Sequence, residues 1–539
     1  MVQQSTKASA GLRRLLSGDE AVAAAARELG VSLGTGYPGT PSTEVLEYFA
    51  TLGGRAQWAP NEKVAMEVGV GAAFAGARAL VTMKHVGLNV AADVLFTAAY
   101  TNVQGGLVVV SADDPGMASS QNEQDNRRYA VAAGVPMFEP SDSQEAYEMT
   151  AAAFDVAERW HIPVILRLTT RLCHAKTLVD TGRFTASAPP ETFVRDIPGR
   201  VMIPAYAKPA HRRLRAKLAE IAEWVETCAW TRTVEGSGRV GVITSGVSYA
   251  HVREAIADAP VLKLGMTHPV PIEAARAFAQ TVDECIVIEE GDPYLEETLR
   301  AAGIAVRGKD PMYRFGELSV QRVRRILAGD TSAEPTPPRG NPPQLCPTCP
   351  HRLVFQALSR LNCIVSGDIG CYTLGVLPPF EAMDCCVCMG ASIGAGLGLR
   401  HALPDEEARR VVSVIGDSTF VHSGLTGLVE MVYNPPTTGH LVMVLDNGTT
   451  AMTGLQEHPG TGRTLNHEPT NRLDIERVAE AIGIRRIHTV DPRELGSDGL
   501  ETLIAETLAS GELAMIVTRR PCALIEERVA TAAAGACNE

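Results

Sequence analysis

No stretch of this chain offers the roughly 20 consecutive apolar residues that a membrane-spanning helix requires. The opening MVQQSTKASAGLRRLLSGDEAVAAAARELG has no uninterrupted apolar core of the kind a secretion signal carries. A cytoplasmic location and no membrane partner are therefore expected. A basic face is missing as well. With a formal charge of -13, the chain is a poor match for nucleic acid or an anionic lipid surface as its main partner. There is no fixed-period repeat and no low-complexity tract, which sets aside solenoid arrays and disordered tails. Hydrophobic residues at 45% and charged residues at 21% give the balance of an ordinary globular protein.

What is present is length: 539 residues are too many for one hydrophobic core. Short apolar runs alternate with helical stretches in three blocks, the pattern of βαβ units on parallel sheets. The first block covers residues 1–190 and contains the strand-like ARALVTM, GGLVVVSA and IPVILRL. A polar stretch rich in Pro and Arg, 191–236, reads as a linker to a small second block, 237–328, with RVGVITSG, APVLKLG and ECIVIEEG as strands. Pro335, Pro337, Pro338, Pro342 and Pro343 mark 329–343 as an extended linker. The third block, 344–530, has strands at NCIVSGDIG, RRVVSVIGD, HLVMVLDN and LAMIVTRRP, and a tail, 531–539, follows. The expected class is α/β, with three doubly wound parallel-sheet domains in series.

In GDSTFVHSGLTGLVEMVYNPPTTGHLVMVLDNGTTAMTG an acidic turn closes one strand and an Asn-bearing turn closes the next. Ligands of open α/β sheets bind at such carboxyl ends. Asp417 supplies a hard carboxylate and Asn447 an amide oxygen; a main-chain oxygen near Thr449 and two diphosphate oxygens complete an octahedral Mg²⁺ shell. Gly416 and Gly448 let the backbone approach phosphate. Two ordinary Gly/Asp turns would explain either string alone. Their spacing resembles the thiamine diphosphate motif, GDG followed after about thirty residues by Asn-Asn. Ser418 in place of the last Gly, and Asp446-Asn447 in place of the Asn pair, depart from it.

In NEKVAMEVGVGAAFAGA, Glu62 lies nine residues before Gly71, as the activating Glu of thiamine enzymes lies before the equivalent Gly; Glu67 does not. That resemblance implies that the Glu62 carboxyl donates to the aminopyrimidine ring nitrogen and so activates the cofactor. The plainer reading is a pair of solvated glutamates on an amphipathic helix. Just upstream, GTGYPGTPSTEVLEYF offers Thr40 as helix N-cap with Pro41 at the first helical position.

Twelve cysteines in a large chain of this kind point to metal or redox chemistry rather than disulfides. Cys346 and Cys349 form a CxxC in LCPTCPHR, which alone is compatible with zinc, a redox pair or neither. Cys371 in SGDIGCYTLG, as a third thiolate from a Gly-rich turn, suits a [4Fe-4S] cluster. Spacing leaves the fourth ligand open, since Cys385, Cys386 and Cys388 in MDCCVCMG stand close by. Cys173, Cys228, Cys285 and Cys363 read as buried free thiols.

LLSGDEA, GTGYPGTPST, KHVGLNVAAD, LCPTCPHR, GDIGCYTLGVLPP, GDSTFVHSG and LDNGTTAMTGLQEHPG together resemble the α subunit of indolepyruvate ferredoxin oxidoreductases, over almost the whole chain. The resemblance implies a pyrimidine-binding domain at 1–190, a transketolase C-terminal-like domain at 237–328 and a diphosphate- and Mg²⁺-binding domain at 344–530. It implies oxidation of an aryl 2-oxo acid with coenzyme A to acyl-CoA and CO₂, using thiamine diphosphate, Mg²⁺ and one [4Fe-4S] cluster. Thr40 of the YPGTPS loop then faces the substrate, and Glu62 and His85 join it as catalytic residues. Gly370, Gly416, Asp417, Ser418, Asn447, Thr449 and Thr453 would bind the cofactor. Cys522, after a Pro at the end of the last strand, becomes the fourth cluster ligand. Implied partners are a β subunit that completes acyl transfer, a ferredoxin or another iron-sulfur or flavin protein, and a hetero-oligomer built on an α dimer. The ferredoxin-like module that usually ends this subunit is not found after Cys522, which leaves the electron acceptor open. A non-oxidative thiamine decarboxylase or carboligase would need no cluster, and an inert assembly subunit would not need Glu62 and Asp417.

Overall fold

A computed structural model of the chain describes residues 12–185, 191–335 and 343–528. Pro337, Pro338 and Pro342 of the Pro-rich stretch, Cys537 and the tail at 531–539 lie outside the described residues. The chain divides into two compact units, Met1–Pro335 and Thr336–Glu539.

The first unit is organised on a seven-stranded sheet in the spatial order Met266–His268, Met137–Phe138, Val164–Thr169, Leu107–Asp113, Ala79–Lys84, Leu33–Gly36 and Ala56–Trp58. Every pairing is parallel except that of Met266–His268 with Met137–Phe138. The central runs LVVVSAD and VILRLT are buried at every position, as strands covered by helices on both faces must be. One covering helix, Gly18–Glu28, starts at Ser17, whose hydroxyl accepts the Glu20 N–H while the Glu20 carboxylate accepts the Ser17 N–H. A second sheet in this unit orders Glu284–Ile288, Val240–Ser245, Val261–Leu264 and Thr231–Val234, the last antiparallel.

Two details differ from the sequence reading. The stretch 191–236 is more than a linker: Pro204–Val225 is a 22-residue helix. Its Leu214, Ile221 and Val225 enter the core of the seven-stranded sheet. The second block also lends a strand, Met266–His268, to the first block's sheet. Buried charge joins the two as well. Arg127, fully buried, bonds Glu289 at 2.6 Å and the carbonyl oxygens of Glu290 and Asp292 at 2.8 and 3.0 Å. A buried guanidinium needs such partners, because leaving it unpaired costs several kcal/mol, on the order of 3–5.

The second unit carries an all-parallel five-stranded sheet in the order Ile364–Ser366, Val411–Gly416, His440–Asp446, Leu513–Arg519 and Arg486–Val490. The four strands expected in the third block are the first four of these.

Candidate functional site

In the second unit, Val411–Gly416 and His440–Asp446 pair in register, with Gly416 opposite Leu445, so their carboxyl ends open side by side. Asp417 and Asn447 follow those ends directly, and both are buried. Asp417 accepts the Ser418 N–H at 2.9 Å and the Gly448 N–H at 2.8 Å. Gly448 adopts φ +72°, and an added Cβ there would meet nothing within 4 Å, so it is the left-handed backbone that calls for glycine. At Gly416 the reason is crowding: a Cβ would stand 2.7 Å from the Tyr372 ring.

His458 Nε2 lies 3.3 Å from Asp417 Oδ2, close but outside hydrogen-bond alignment. The Gly460 N–H donates to His458 Nδ1 at 3.2 Å, which leaves the ring proton on Nε2, toward the carboxylate. Burial opposes ionisation of Asp417, but His458 and the two main-chain donors outweigh it and hold the carboxyl below its ordinary range. Asp446 moves the other way: burial and the neighbouring Asp417 raise it against the pull of Arg519, whose Nε donates at 2.6 Å.

The Asn447 amide oxygen accepts the Thr449 N–H at 3.1 Å, and the Thr449 hydroxyl donates to the Gln456 carbonyl at 3.1 Å. Thr450 donates to Ser418 Oγ at 2.9 Å, linking the two turns. Thr453 is engaged with the Gln456 side chain at 2.6 Å. Gly370 precedes Cys371 in extended backbone, where a Cβ would strike the Tyr372 ring. Asp417, the Asn447 amide and a main-chain oxygen are of the hard oxygen type that Mg²⁺ takes, and with phosphate oxygens they would suit its shell. Among the described residues no three His, Cys, Asp or Glu side chains converge to hold a metal ion by themselves.

Beside these turns lies a cavity of about 80 Å³ whose wall includes Cys346, Cys349, Cys371, Cys522, His351 and Asn447. Burial raises the Cys349 and Cys371 thiols to about 11, and the neighbouring cysteines add to it. Thiols so placed are poor thiolates unless a positive charge is brought beside them. Cys385, Cys386 and Cys388 do not line this wall; Cys385 donates to Ser366 Oγ at 3.6 Å, and the other two are exposed.

In the first unit, Glu62 is the first residue of the helix Glu62–Phe74, which Asn61 caps by accepting the Val64 N–H. Glu62 is buried, whereas the Glu67 side chain is 44% exposed and pairs with Lys63, which separates the two candidates. Glu62 packs on Gly87: a Cβ there would stand 2.6 Å from its Oε1. Gly87 belongs to the helix His85–Ala98, whose first residue, His85, is fully buried. Thr40 is not a helix cap. The Gly39 carbonyl accepts both the N–H and the hydroxyl of Ser42, closing a turn, and the helix begins at Thr43.

Sequence reasoning passed over Asp368, His458, His351 and Asn122. Asp368, fully buried, accepts the N–H groups of Gly390 and Ser392 at 2.8 and 2.9 Å. The strings GDIG and EHPG carried the only signal for Asp368 and His458.

Two family models match the chain. Residues 24–181 match "Pyruvate flavodoxin/ferredoxin oxidoreductase, thiamine diP-bdg", and residues 368–518 match "Thiamine pyrophosphate enzyme, C-terminal TPP binding domain". The indolepyruvate oxidoreductase subunit IorA of Archaeoglobus fulgidus is 38% identical, the match covering 98% of this chain and 89% of the relative. The IorA of Thermococcus kodakarensis is 39% identical over 95% of this chain and 86% of its own. A 2-oxoglutarate:ferredoxin oxidoreductase from Magnetococcus marinus shares the fold at a TM-score of 0.51 and 20% identity, covering 59% of this chain and 65% of that one. The chain belongs to the indolepyruvate oxidoreductase IorA family and is a thiamine-diphosphate-dependent 2-oxoacid:ferredoxin oxidoreductase of the indolepyruvate type.

Proposed function

We propose that this chain is the catalytic subunit that oxidatively decarboxylates an aryl 2-oxo acid with coenzyme A, giving acyl-CoA and CO₂ and passing two electrons outward. The observation that supports this reading is the cavity wall shared by Cys346, Cys349, Cys371, Cys522 and Asn447, which sets four thiols beside the turn proposed to hold magnesium. A non-oxidative thiamine enzyme has no use for such a pocket.

Asp417, Asn447 and a main-chain oxygen at Thr449 would hold Mg²⁺, and Gly416, Ser418 and Gly370 would lie at the diphosphate, with Gly448 giving the second turn its left-handed backbone. Thr453 acts through Gln456, which keeps the turn after Thr450 closed. Thiamine diphosphate, when bound, supplies the carbon nucleophile and electron sink that a 2-oxo acid needs to lose CO₂. Glu62, buried at the start of its helix, is the carboxyl that would hydrogen-bond the cofactor's ring nitrogen and activate it. Thr40 and His85 face the reactants. Cys346, Cys349, Cys371 and Cys522 ligate one [4Fe-4S] cluster.

The relatives are named as subunits, and a β subunit, a ferredoxin or similar carrier and an α-dimer core are the partners this function calls for. No helix among the described residues is long and apolar enough to cross a membrane; a cytoplasmic site of action is part of the proposal. The test is anaerobic purification with the natural partners, iron and thiamine analysis, and a panel of 2-oxo acids assayed with coenzyme A and viologen. Coenzyme-A-dependent reduction with an aryl 2-oxo acid is expected. Thiamine without iron, and CO₂ release without viologen reduction, would turn the reading to a decarboxylase or carboligase.

A further inference from the structure

The second unit carries a larger cavity against the cysteine wall, one that the cofactor chemistry does not use. It measures about 680 Å³ and opens to solvent. Cys349 and Pro350 line both this pocket and the small cavity of the four cysteines. Cys346, three residues before Cys349, is exposed. A cluster held by these thiols would therefore stand at the surface of the unit, with a solvent-filled pocket beside one of its ligands.

The charge of that pocket runs against the charge of the chain. Arg352, Arg360 and Arg493 line it and no Asp, Glu or Lys does, in a protein whose formal charge is -13. Arg352 stands in the first turn of the helix His351–Arg360, a turn without an acidic residue, so the positive end of the helix adds to its charge. Its Nη1 donates to the Leu345 carbonyl at 3.1 Å, its guanidinium lies 5.0 Å from the centre of the Phe380 ring, and among the described residues no carboxylate pairs with it. Arg360 pairs with Asp498 at 2.8 Å and Glu501 at 3.7 Å. Arg493 pairs with Glu526 at 3.3 Å, and its Nη2 donates to the Thr348 carbonyl at 2.7 Å, bracing the loop between Cys346 and Cys349. Those three carboxylates are not part of the pocket lining. Ion pairs so open to water are weak, so carboxylates of a partner can compete for the same guanidinium groups.

We infer that this arginine-lined pocket is the docking seat of a small acidic iron-sulfur protein, which takes electrons from the chain beside Cys349. This rests on the reading of Cys346, Cys349, Cys371 and Cys522 as ligands of a cluster. The lining has the make-up of a protein-binding surface, with arginines around the Phe380 ring and apolar Pro and Leu side chains, and without Lys or carboxylates. Contacts between electron-transfer proteins are small and short-lived, and opposite charge makes the encounter fast. The acidic remainder of the chain repels such a carrier, so the arginines decide where it lands. Each encounter moves one electron from the reduced cluster to the oxidised carrier with no bond formed or broken, so two carriers are reduced for each 2-oxo acid oxidised.

The test uses the full-length chain, purified anaerobically, with an acidic plant-type [2Fe-2S] ferredoxin as the probe. Binding is measured by calorimetry, which needs no turnover, and iron is determined on every sample. The unaltered chain should bind the ferredoxin with an affinity that falls as salt is raised. Arg352→Glu combined with Arg360→Glu should weaken it at least about tenfold at low salt with iron content unchanged, while Arg352→Lys should keep most of it. In the assembled enzyme the double variant should slow reduction of ferredoxin and leave reduction of viologen, which needs no seat, as it was. Equal affinity of the double variant and the unaltered chain, or no binding by the unaltered chain, overturns the inference. So does displacement of the ferredoxin by coenzyme A bound at the same arginines, which would make the pocket a small-anion site, or a dimer of the chain that the double variant dissolves, which would give this face to a second copy. Absence of iron from the unaltered chain would count against the cluster and the proposed function, and calorimetry would still decide the seat.

Discussion

The main-chain N–H of Cys522 donates to the carbonyl of Asn447 at 3.0 Å. One hydrogen bond thus joins the last cysteine of the cavity to the turn that bears a proposed magnesium ligand. Because Leu513–Arg519 pairs with His440–Asp446 along its whole length, the chain after each strand emerges at the same sheet edge, and the two residues cannot drift apart without breaking that ladder.

Each of Cys346→Ser, Cys349→Ser, Cys371→Ser and Cys522→Ser is expected to lose iron and the visible absorbance of the cluster, whereas Cys386→Ser keeps both. Iron analysis after anaerobic purification decides it. A cluster that survives Cys522→Ser would move the fourth ligand to Cys385, Cys386 or Cys388.

Asp417→Ala removes the only anionic side chain proposed for Mg²⁺ and leaves the Gly448 N–H without its acceptor. Affinity for thiamine diphosphate, titrated calorimetrically in the presence of Mg²⁺, should fall by about a hundredfold or more, roughly 2.7 kcal/mol. Unchanged affinity would mean that the metal is held elsewhere.

Glu62→Gln keeps the shape of the side chain and its packing on Gly87 but has no acid proton. Cofactor binding should persist while kcat drops by about a hundredfold or more. Turnover close to that of the unaltered enzyme would remove Glu62 from its proposed role.

Glu290 gives the first unit a pH-dependent stability. Burial is the main cause that lifts its carboxyl from 4.5 to about 7; among the described residues Oε2 has no partner, while Oε1 accepts the Leu318 N–H at 3.0 Å. A pKa raised in the folded state means that the protonated form is the one folding favours. The stability it contributes is complete below about pH 4.5 and is lost as pH climbs through 7. Glu290→Gln should therefore raise Tm at pH 8 and change it little at pH 5, the difference amounting to as much as about 3 kcal/mol. Parallel melting curves for both proteins across this range would contradict it.

The chain should not complete the oxidation alone. The reaction releases two electrons, and one [4Fe-4S] centre stores one, so a further carrier is required. An anaerobic assay should show acyl-CoA formation with electron transfer only when the co-purifying proteins are added. Full coenzyme-A-dependent turnover by the lone polypeptide would overturn the requirement for a partner.

The sequence by itself determined the α/β class, because strands buried on both faces must be apolar runs, and LVVVSAD, VILRLT, VVSVIG and HLVMVLD could be read as such. It also located the Asp417 and Asn447 turns and the Cys346–Cys349 pair, since local spacing is all that those motifs involve. The helix Pro204–Val225 was legible in principle: Ala210, Leu214, Ile221 and Val225 lie at helical spacing, hidden among Pro and Arg. The true start of the helix at Thr43 was not, because two hydrogen bonds to one carbonyl decide it. Nor could any local pattern bring Met266–His268 into the first block's sheet, join Arg127 to Glu289 across 162 residues, or set Asn122 against His85. Those pairings depend on which strand ends the parallel order makes adjacent, and on burial, which turns a polar side chain without a partner from a neutral feature into a costly one. Only the tertiary structure supplies both.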